Sequence, residues 1–380
     1  MKNLLYIVNV DWFFISHRLP IALKAIEDGY NVHLACAFTD KKALLEELGI
    51  ICHVIPFSRS GNSFIREFKT ICLIYRLIHR LKLDIVHAIT IKPVIYTGLS
   101  LRLLKKPPAF VAAISGLGYV FTADNLKAKF TKSFVTLLYK IAFSVKNKIV
   151  IFQNTNDQAI LNSIAKLQES EQTLIRGSGV NLDSYSYKEE PNSDQIIVSM
   201  ACRLLKEKGV YEFVEAAKLI KNSYSNIVFW LIGNIDIENP HSVTDIELTH
   251  WEKLGLITVY GHRDDIPELF AQSHIITLPS YYGEGVPKVL IEAAACGRPI
   301  ITTDNPGCKD SIIPNETGLL IPIKNSEKLA EAILCLANNK LQRINFGQKA
   351  RAFAEQNFDI EDVVDKHLFL YKNLLISTNT

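Results

Sequence analysis

No run of about 18 uninterrupted apolar residues, the length a membrane-spanning helix needs, occurs in the 380-residue chain. A helical membrane span is therefore not expected. Cysteine is sparse: seven residues, at 36, 52, 72, 202, 296, 308 and 335, with no Cys-x-x-Cys pair among them. An odd, dispersed set argues against a disulfide framework or a zinc cluster, and for a reducing, cytoplasmic compartment. The opening apolar run LLYIVNV (4–10) is shorter than an export signal requires and meets Asp11 at once, so it is read as a first strand. Short-period repeats and low-complexity tracts are missing too. With 48% hydrophobic and 21% charged residues the chain is neither disordered nor collagen-like. Its length is that of two or three domains.

Acidic residues are scarce in one region only. The net charge is +3, yet residues 1–190 hold 24 Lys and Arg against 15 Asp and Glu, whereas 191–380 hold 18 against 24. Over 56–148 there are 16 basic residues and three acidic ones, Glu67, Asp84 and Asp124. Apolar residues interleave with these charges, as in FKTICLIYRLIHRLKL (68–83) and KAKFTKSFVTLLYKIAFSVKNK (127–148). Basic helices with an apolar face suit an anionic membrane surface; a solvated face on core-packing helices is the other reading. The mean hydropathy of +0.13 is high for a water-soluble enzyme and leans toward the membrane. No nucleic-acid-binding motif accompanies the patch, so nucleic acid is not an expected partner.

Short apolar runs alternate with helix-length amphipathic stretches along the whole chain. The first half gives strands at 4–10, 31–37, 52–57, 84–89, 109–115, 148–154 and 173–178, with helices such as 18–28, 64–81, 93–104 and 128–145 between them. This rhythm predicts a parallel sheet with helices on both faces. The polar stretch NLDSYSYKEEPNSD (181–194) interrupts it, and the rhythm restarts at QIIVSMA (195–201). The expected fold class is α/β, with two doubly wound, Rossmann-like domains facing across a cleft. Domain boundaries are set at 1–180 and 192–359. The helix within 360–380 is expected to cross back onto the first domain. Residues 180–193 are expected to act as a hinge. Ligands bind at the carboxyl ends of the strands in such sheets.

Two stretches of the second half carry chemistry. In SYYGEGVPKVLIEAAACGRPIITT (280–303) a strand ends near Ser280 and Gly283-Glu284-Gly285 follows. Pro287 is placed at the first helical position, and Gly297 stops the helix. The amides of 285–289 then sit at a helix N-terminus, a natural phosphate site. Glu292, among alanines, needs a partner. That partner is either Lys288, four residues earlier, or the hydroxyls of a ribose, for which a carboxylate is a suitable bidentate acceptor. In SMACRLLKEKGVYEFVEAA (199–217), Arg203 and Lys208 are cations at a strand–helix junction, placed to reach a diphosphate.

Together these motifs, R-L-x-x-x-K-G and, some way on, E-G-x-P-x-x-x-x-E-A-x-A-x-G-x-P, resemble the retaining family 4 glycosyltransferases of GT-B fold. LIGN (231–234), VYGHRDDIPELFAQSHIITLPS (259–280) and ETGLLIPI (316–323) fit the same series. The segments NVDWFFISHRLPIALKA (9–25) and SGLGYVF (115–121) resemble the subgroup that builds capsules, O-antigens and lipid-linked oligosaccharides. The resemblance implies a donor site in which Arg203 and Lys208 hold the diphosphate and Glu292 binds the ribose. Glu284 would contact the transferred sugar. Backbone from Gly285 through Val286, Pro287, Lys288 and Val289 would cap the distal phosphate, and Gly261, His262 and Arg263 would line the base. Glu284, Arg203 and Lys208 are the catalytic candidates. The family usually needs no divalent metal, and no Asp-x-Asp stands in a suitable loop here; no metal site and no further cofactor is expected.

The first half departs from the pattern. The glycine pair of the family's first loop is absent from Val10–His17. Ser115-Gly116-Leu117-Gly118 stands where many members carry a histidine near the reacting carbon. Acceptor-side candidates are Asp11, Ser16, His17 and Arg18 in the first loop, His87, Thr90 and Lys92 around the strand 84–89, and Gly116 and Gly118. Each also has a structural reading: Asp11 and Ser16 as caps, His87 as a core histidine. His262 and His274 are read as structural in themselves. The implied reaction moves a sugar, an N-acetylhexosamine by the subgroup likeness, from a UDP-sugar to a polyprenyl-diphosphate-linked saccharide, with retention of anomeric configuration. The enzyme would sit peripherally on the inner face of the cytoplasmic membrane. A nucleotide-sugar 2-epimerase on the same fold and a non-catalytic nucleotide-sugar-binding partner are the competing readings.

Overall fold

The computed structural model describes residues 1–57, 64–118, 126–221, 223–237 and 239–377, without the side chains of 126–130 and 377. It contains two α/β units. One comprises the described residues of Met1–Ser178 and of Ile360–Thr380, the other Gly179–Asp359.

In the first unit, β1 (Lys2–Val10), β2 (Tyr30–Ala37), β3 (Ile51–Val54), β4 (Ile85–Ile89), β5 (Ala109–Ile114), β6 (Lys148–Phe152) and β7 (Gln172–Leu174) form one sheet. Its order is β3-β2-β1-β4-β5-β6-β7 and every pairing is parallel. The strands read as unbroken apolar runs because both faces are covered. Leu4, Tyr6 and Val8 join a core with α1 (Asp11–Glu27) and the last helix. Leu5 and Ile7 join another with α3 (Phe64–Leu81), α4 (Ile91–Arg102) and α5 (Leu126–Ala142). The last helix, Ile360–Ser377, packs on α1 and sends Tyr371 to hydrogen-bond Tyr6 at 3.0 Å.

Helix α1 begins at Asp11, directly after β1, so the loop expected over 11–17 does not exist. The reason is a side-chain bond that sequence spacing does not show. Asp11 is fully buried and accepts from the amides of Trp12, Thr39 and Lys41 and from the Thr39 hydroxyl, tying the helix start to the turn after β2.

In the second unit, β8 (Ile196–Ala201), β9 (Ile227–Ile232), β10 (Thr258–Gly261), β11 (Ile275–Leu278), β12 (Ile300–Thr303) and β13 (Gly318–Ile321) are ordered β10-β9-β8-β11-β12-β13, again all parallel. The polar stretch 181–194 is stitched onto this unit rather than lying loose. Glu190 forms a bidentate, buried pair with Arg343, and the guanidinium of Arg351 donates to the carbonyls of Leu182 and Tyr185.

Candidate functional site

In each sheet the chain leaves two neighbouring strands in opposite directions, which opens a crevice at their carboxyl ends. In the second unit those strands are β8 and β11. Beyond β8 come Arg203, the turn Lys206–Lys208 and α7 (Val210–Lys221). Beyond β11 come Ser280, Glu284 and α10 (Lys288–Ala295). The two connections are locked together. The Tyr281 amide donates to the Glu207 carbonyl at 2.9 Å. Gly209, at φ +86°, approaches Pro279 so closely that a Cβ would lie 2.3 Å from its carbonyl oxygen.

The centre of this crevice is an ion pair. Lys208 Nζ donates to Glu284 Oε2 at 2.7 Å, and Ser280 Oγ lies 2.6 Å from Glu284 Oε1. Both charged side chains are largely covered, 15% and 10% exposed, so the pair sits at far lower effective dielectric than a surface bridge. Arg203, about half exposed, holds Nη1 3.6 Å from Asp236 Oδ2. The loop 283–287 is supported from beneath. A Cβ on Gly307 would lie 1.6 Å from the Gly285 carbonyl oxygen, and Asn305 Nδ2 donates to the Tyr282 carbonyl at 2.5 Å.

Helix α10 starts one residue later than the sequence implied. Pro287, at ψ 125°, is its cap, and Lys288 is the first helical residue. Val286 is buried under the loop and Val289 is half-buried in the first turn. The positive end of the α10 dipole therefore points out of the sheet's carboxyl edge beside Gly285. Glu292 is buried in the second turn, 3.6 Å from Lys288 Nζ, and accepts from the Tyr185 hydroxyl. Burial pushes its carboxyl above the ordinary carboxylate range, and Lys288 and Tyr185 pull it back. Tyr185 joins the candidate site through Glu292, and sequence reasoning missed it because it lies in the stretch read as a linker.

Gly261 closes β10 at φ +64°, two strands from β8 in the sheet. His262 is exposed and 3.5 Å from Asp264; Arg263 pairs with Asp265. His274 is buried and accepts from the Ile197 amide at 3.1 Å, a structural role.

In the first unit the acceptor candidates separate into two groups. Asp11, Arg18 and His87 are buried. Asp11 is the buried staple of α1. Arg18, 2% exposed, lies beside Tyr6 and Tyr371, and burial lowers its guanidinium to about 10. His87 is fully buried within β4, its Nδ1 2.7 Å from the Tyr371 hydroxyl, and burial holds it well below the ordinary histidine range. The signal for this was present only in the alternation of β4, which puts 85, 87 and 89 on one face. Ser16 and His17 are half-buried on α1; His17 stacks on Phe13 at 4.1 Å and its Nδ1 lies 3.1 Å from the Phe13 carbonyl. Thr90 caps α4. Lys92, in the first turn of α4, pairs with Glu67 at 2.8 Å, which Tyr96 also engages. Gly116 and Gly118 take φ +98° and +63° after β5; of SGLGYVF, residues 119–121 lie outside the described residues.

Both halves of the chain resemble known proteins. Residues 183–353 match the family model of glycosyl transferases group 1, and residues 3–154 that of glycosyl transferase 4-like proteins. A protein of Campylobacter jejuni, N,N'-diacetylbacillosaminyl-diphospho-undecaprenol alpha-1,3-N-acetylgalactosaminyltransferase, is 30% identical, covering 95% of this chain and 98% of its own length. The capsular polysaccharide biosynthesis glycosyltransferase CapM of Staphylococcus aureus is 25% identical over 95% of this chain and 96% of its own. Among solved structures, Anabaena HepE in complex with UDP superposes with a TM-score of 0.77 at 18% identity, covering 98% of this chain and 100% of that one.

Proposed function

The chain belongs to the group 1 glycosyl transferases and has their GT-B fold, and from that premise we propose that it moves an N-acetylhexosamine from a UDP-sugar to a hydroxyl of a polyprenyl-diphosphate-linked saccharide. The product would serve bacterial surface polysaccharide synthesis. The observation that carries this reading is the covered Lys208–Glu284 pair at the crevice of the second sheet, with Arg203 beside it and the N-terminus of α10 above.

This arrangement suits departure of a nucleoside diphosphate. As the anomeric C–O bond breaks, the leaving phosphate gains negative charge. Lys208 and Arg203 supply cations and α10 supplies its positive dipole end, fixed before the reaction begins; each such group is typically worth about 3 kcal/mol of barrier. Glu284 orients Lys208 and presents its second oxygen, beside Ser280, to sugar hydroxyls. Glu292, oriented by Tyr185, accepts from the ribose hydroxyls. The relative from C. jejuni makes an alpha linkage, and UDP-hexosamines are alpha at the anomeric carbon, which supports retention. No carboxylate nucleophile is assigned, so the acceptor hydroxyl attacks on the face the diphosphate leaves and passes its proton to a diphosphate oxygen.

The first unit would work against an anionic membrane. Among the described residues no helix is long and apolar enough to cross a membrane. Instead α3 and α5, both packed on α4, expose Phe64, Ile65, Phe68, Phe134 and Leu137 among Arg66, Lys69, Arg76, Lys132 and Lys140. Apolar side chains that enter the headgroup region, ringed by cations that meet its phosphates, are the chemistry of a peripheral anchor.

The test is transfer itself. Purified protein is incubated without divalent metal with UDP-N-acetylhexosamines and a short-chain prenyl-diphosphate-linked N-acetylhexosamine, and products are read by mass spectrometry. Addition of one sugar, lost in Arg203→Ala, is the expected result. Epimerised donor with no addition, or no UDP-induced rise in melting temperature, refutes the reading.

A further inference from the structure

The first sheet has its own crevice, between β1 and β4, where the chain departs toward β2 on one side and β5 on the other. Ile7 is opposite Ala88, so two residues on, Asn9 and Thr90 stand side by side on one face. Asn9 Nδ2 donates to Thr90 Oγ1 at 2.9 Å. The Asn9 Oδ1 atom is buried and has no hydrogen-bond partner. Turning the amide over exchanges an orphaned acceptor for an orphaned donor, so one end is unmatched either way. The buried hydroxyl of Ser115 is likewise unmatched. It follows β5, whose Ala113 carbonyl accepts from the Thr90 amide at 3.1 Å.

Thr90 is also strained. Its φ of 75° and ψ of 168° fall in a region occupied almost only by glycine, and threonine is β-branched. It caps α4, yet its side chain makes no capping bond to the helix. The hydroxyl is turned instead to Asn9, which leaves its own proton for another acceptor.

Buried polar atoms without partners and a β-branched residue in a glycine conformation each destabilise a fold. Three such features converge at the one edge of this sheet where a ligand binds in folds of this kind. The groups offered are an amide oxygen and two hydroxyls, all uncharged. They match the hydroxyls of a sugar, each of which donates and accepts, so either orientation of the Asn9 amide is met.

We propose that Asn9, Thr90 and Ser115 form the hydroxyl-binding subsite for the sugar of the acceptor. This rests on the transferase reading above. It assigns to the acceptor side two residues, Asn9 and Ser115, that open the segments 9–25 and 115–121 but were not among the site candidates.

The experiment compares wild type with Thr90→Gly and Ser115→Ala, using a UDP-N-acetylhexosamine and the short-chain prenyl-diphosphate-linked N-acetylhexosamine. Glycine relieves the strain at 90, and alanine removes an unmatched hydroxyl at 115. Both variants should therefore melt at or above the wild-type temperature. Each should raise the acceptor KM about tenfold, the loss of one buried hydrogen bond, with the donor KM within about twofold. An unchanged acceptor KM, the result expected if the polar atoms merely hold an ordered water, overturns the subsite. So does a rise in donor KM instead, or a fall in melting temperature with KM intact. Failure of wild type to transfer to any such acceptor sinks the parent reading and this subsite with it, an outcome distinct from an active wild type with indifferent variants.

Discussion

Removing the Lys208 ammonium should damage stability and donor binding by separable amounts. Lys208 and Glu284 are 15% and 10% exposed and 2.7 Å apart. A surface pair of this kind would contribute about 0–1 kcal/mol. A covered pair behaves differently, because losing one partner strands the other's charge away from water at about 3–5 kcal/mol. Ser280 still holds one oxygen of Glu284 after Lys208→Ala, which places that variant at the low end, about 3 kcal/mol. In a unit of this size, about 2–4 °C of melting temperature accompanies each kcal/mol, so the second unit should melt about 6–12 °C lower. Lys208→Met with Glu284→Gln removes both charges and keeps the volume. It should melt within about 3 °C of wild type, since neutral replacements of covered pairs are near neutral. Both proteins should lose UDP affinity, because the cation is missing in each. Thermal unfolding followed by circular dichroism, with UDP calorimetry on the same samples, reads the two effects. If the double variant melts at the sum of the losses of Lys208→Met and Glu284→Gln measured singly, the charges are not coupled and the argument from burial is wrong.

Glu292→Gln should stabilise the second unit at pH 7 while weakening UDP binding about 10- to 100-fold, the worth of charged hydrogen bonds. Burial raises the Glu292 carboxyl, so its contribution to stability is full below the ordinary carboxylate range and is lost as pH rises through the raised value; a melt no higher than wild type at pH 7 contradicts this. In the first unit, His87 is held well below the ordinary range and His367 is pushed down to about 3, both by burial. Stability from a depressed histidine is present above about pH 6.5 and falls as pH drops, by up to about 1.4 kcal/mol per pH unit for each ring. His367→Gln should remove one ring's share of that slope, read as urea midpoints between pH 7 and pH 5; an unaltered slope counts against it. Gly307→Ala, with its new Cβ 1.6 Å from the Gly285 carbonyl oxygen and φ at +82°, should displace the loop 283–287. It should cost about 2 kcal/mol or more of stability and at least tenfold in UDP affinity; calorimetry showing unchanged affinity would falsify the support role.

How much was legible in the sequence varies with the kind of information. The strand–helix rhythm and the restart after 181–194 were plain, because apolar runs buried on both faces need no knowledge of their neighbours. The grouping of the second unit's candidates at the strand ends was legible for a similar reason. Arg203 and Lys208 lie within one strand–helix junction, and Glu284, Pro287 and Glu292 within another. Chain spacing therefore fixes their relation to a local turn. The acceptor candidates of the first unit were placed less well, since their environment is built from distant segments. Asp11 was held by Thr39 and Lys41, and His87 by Tyr371. No local pattern announces a partner that far along the chain.

By itself the sequence determined the two α/β units, the parallel sheets and the charged groups gathered at the end of the second one, since propensity, periodicity and motif spacing are local properties. The tertiary structure alone decided which polar side chains are sealed in the core and which lie at the strand ends. It placed β1 beside β4, setting Asn9 against Thr90, and laid the last helix over His87 and Arg18. It also brought Tyr185 to Glu292. Burial and hydrogen-bond satisfaction depend on the order of strands and the packing of layers, and those arise from the chain's collective best arrangement rather than from any residue's neighbours in sequence.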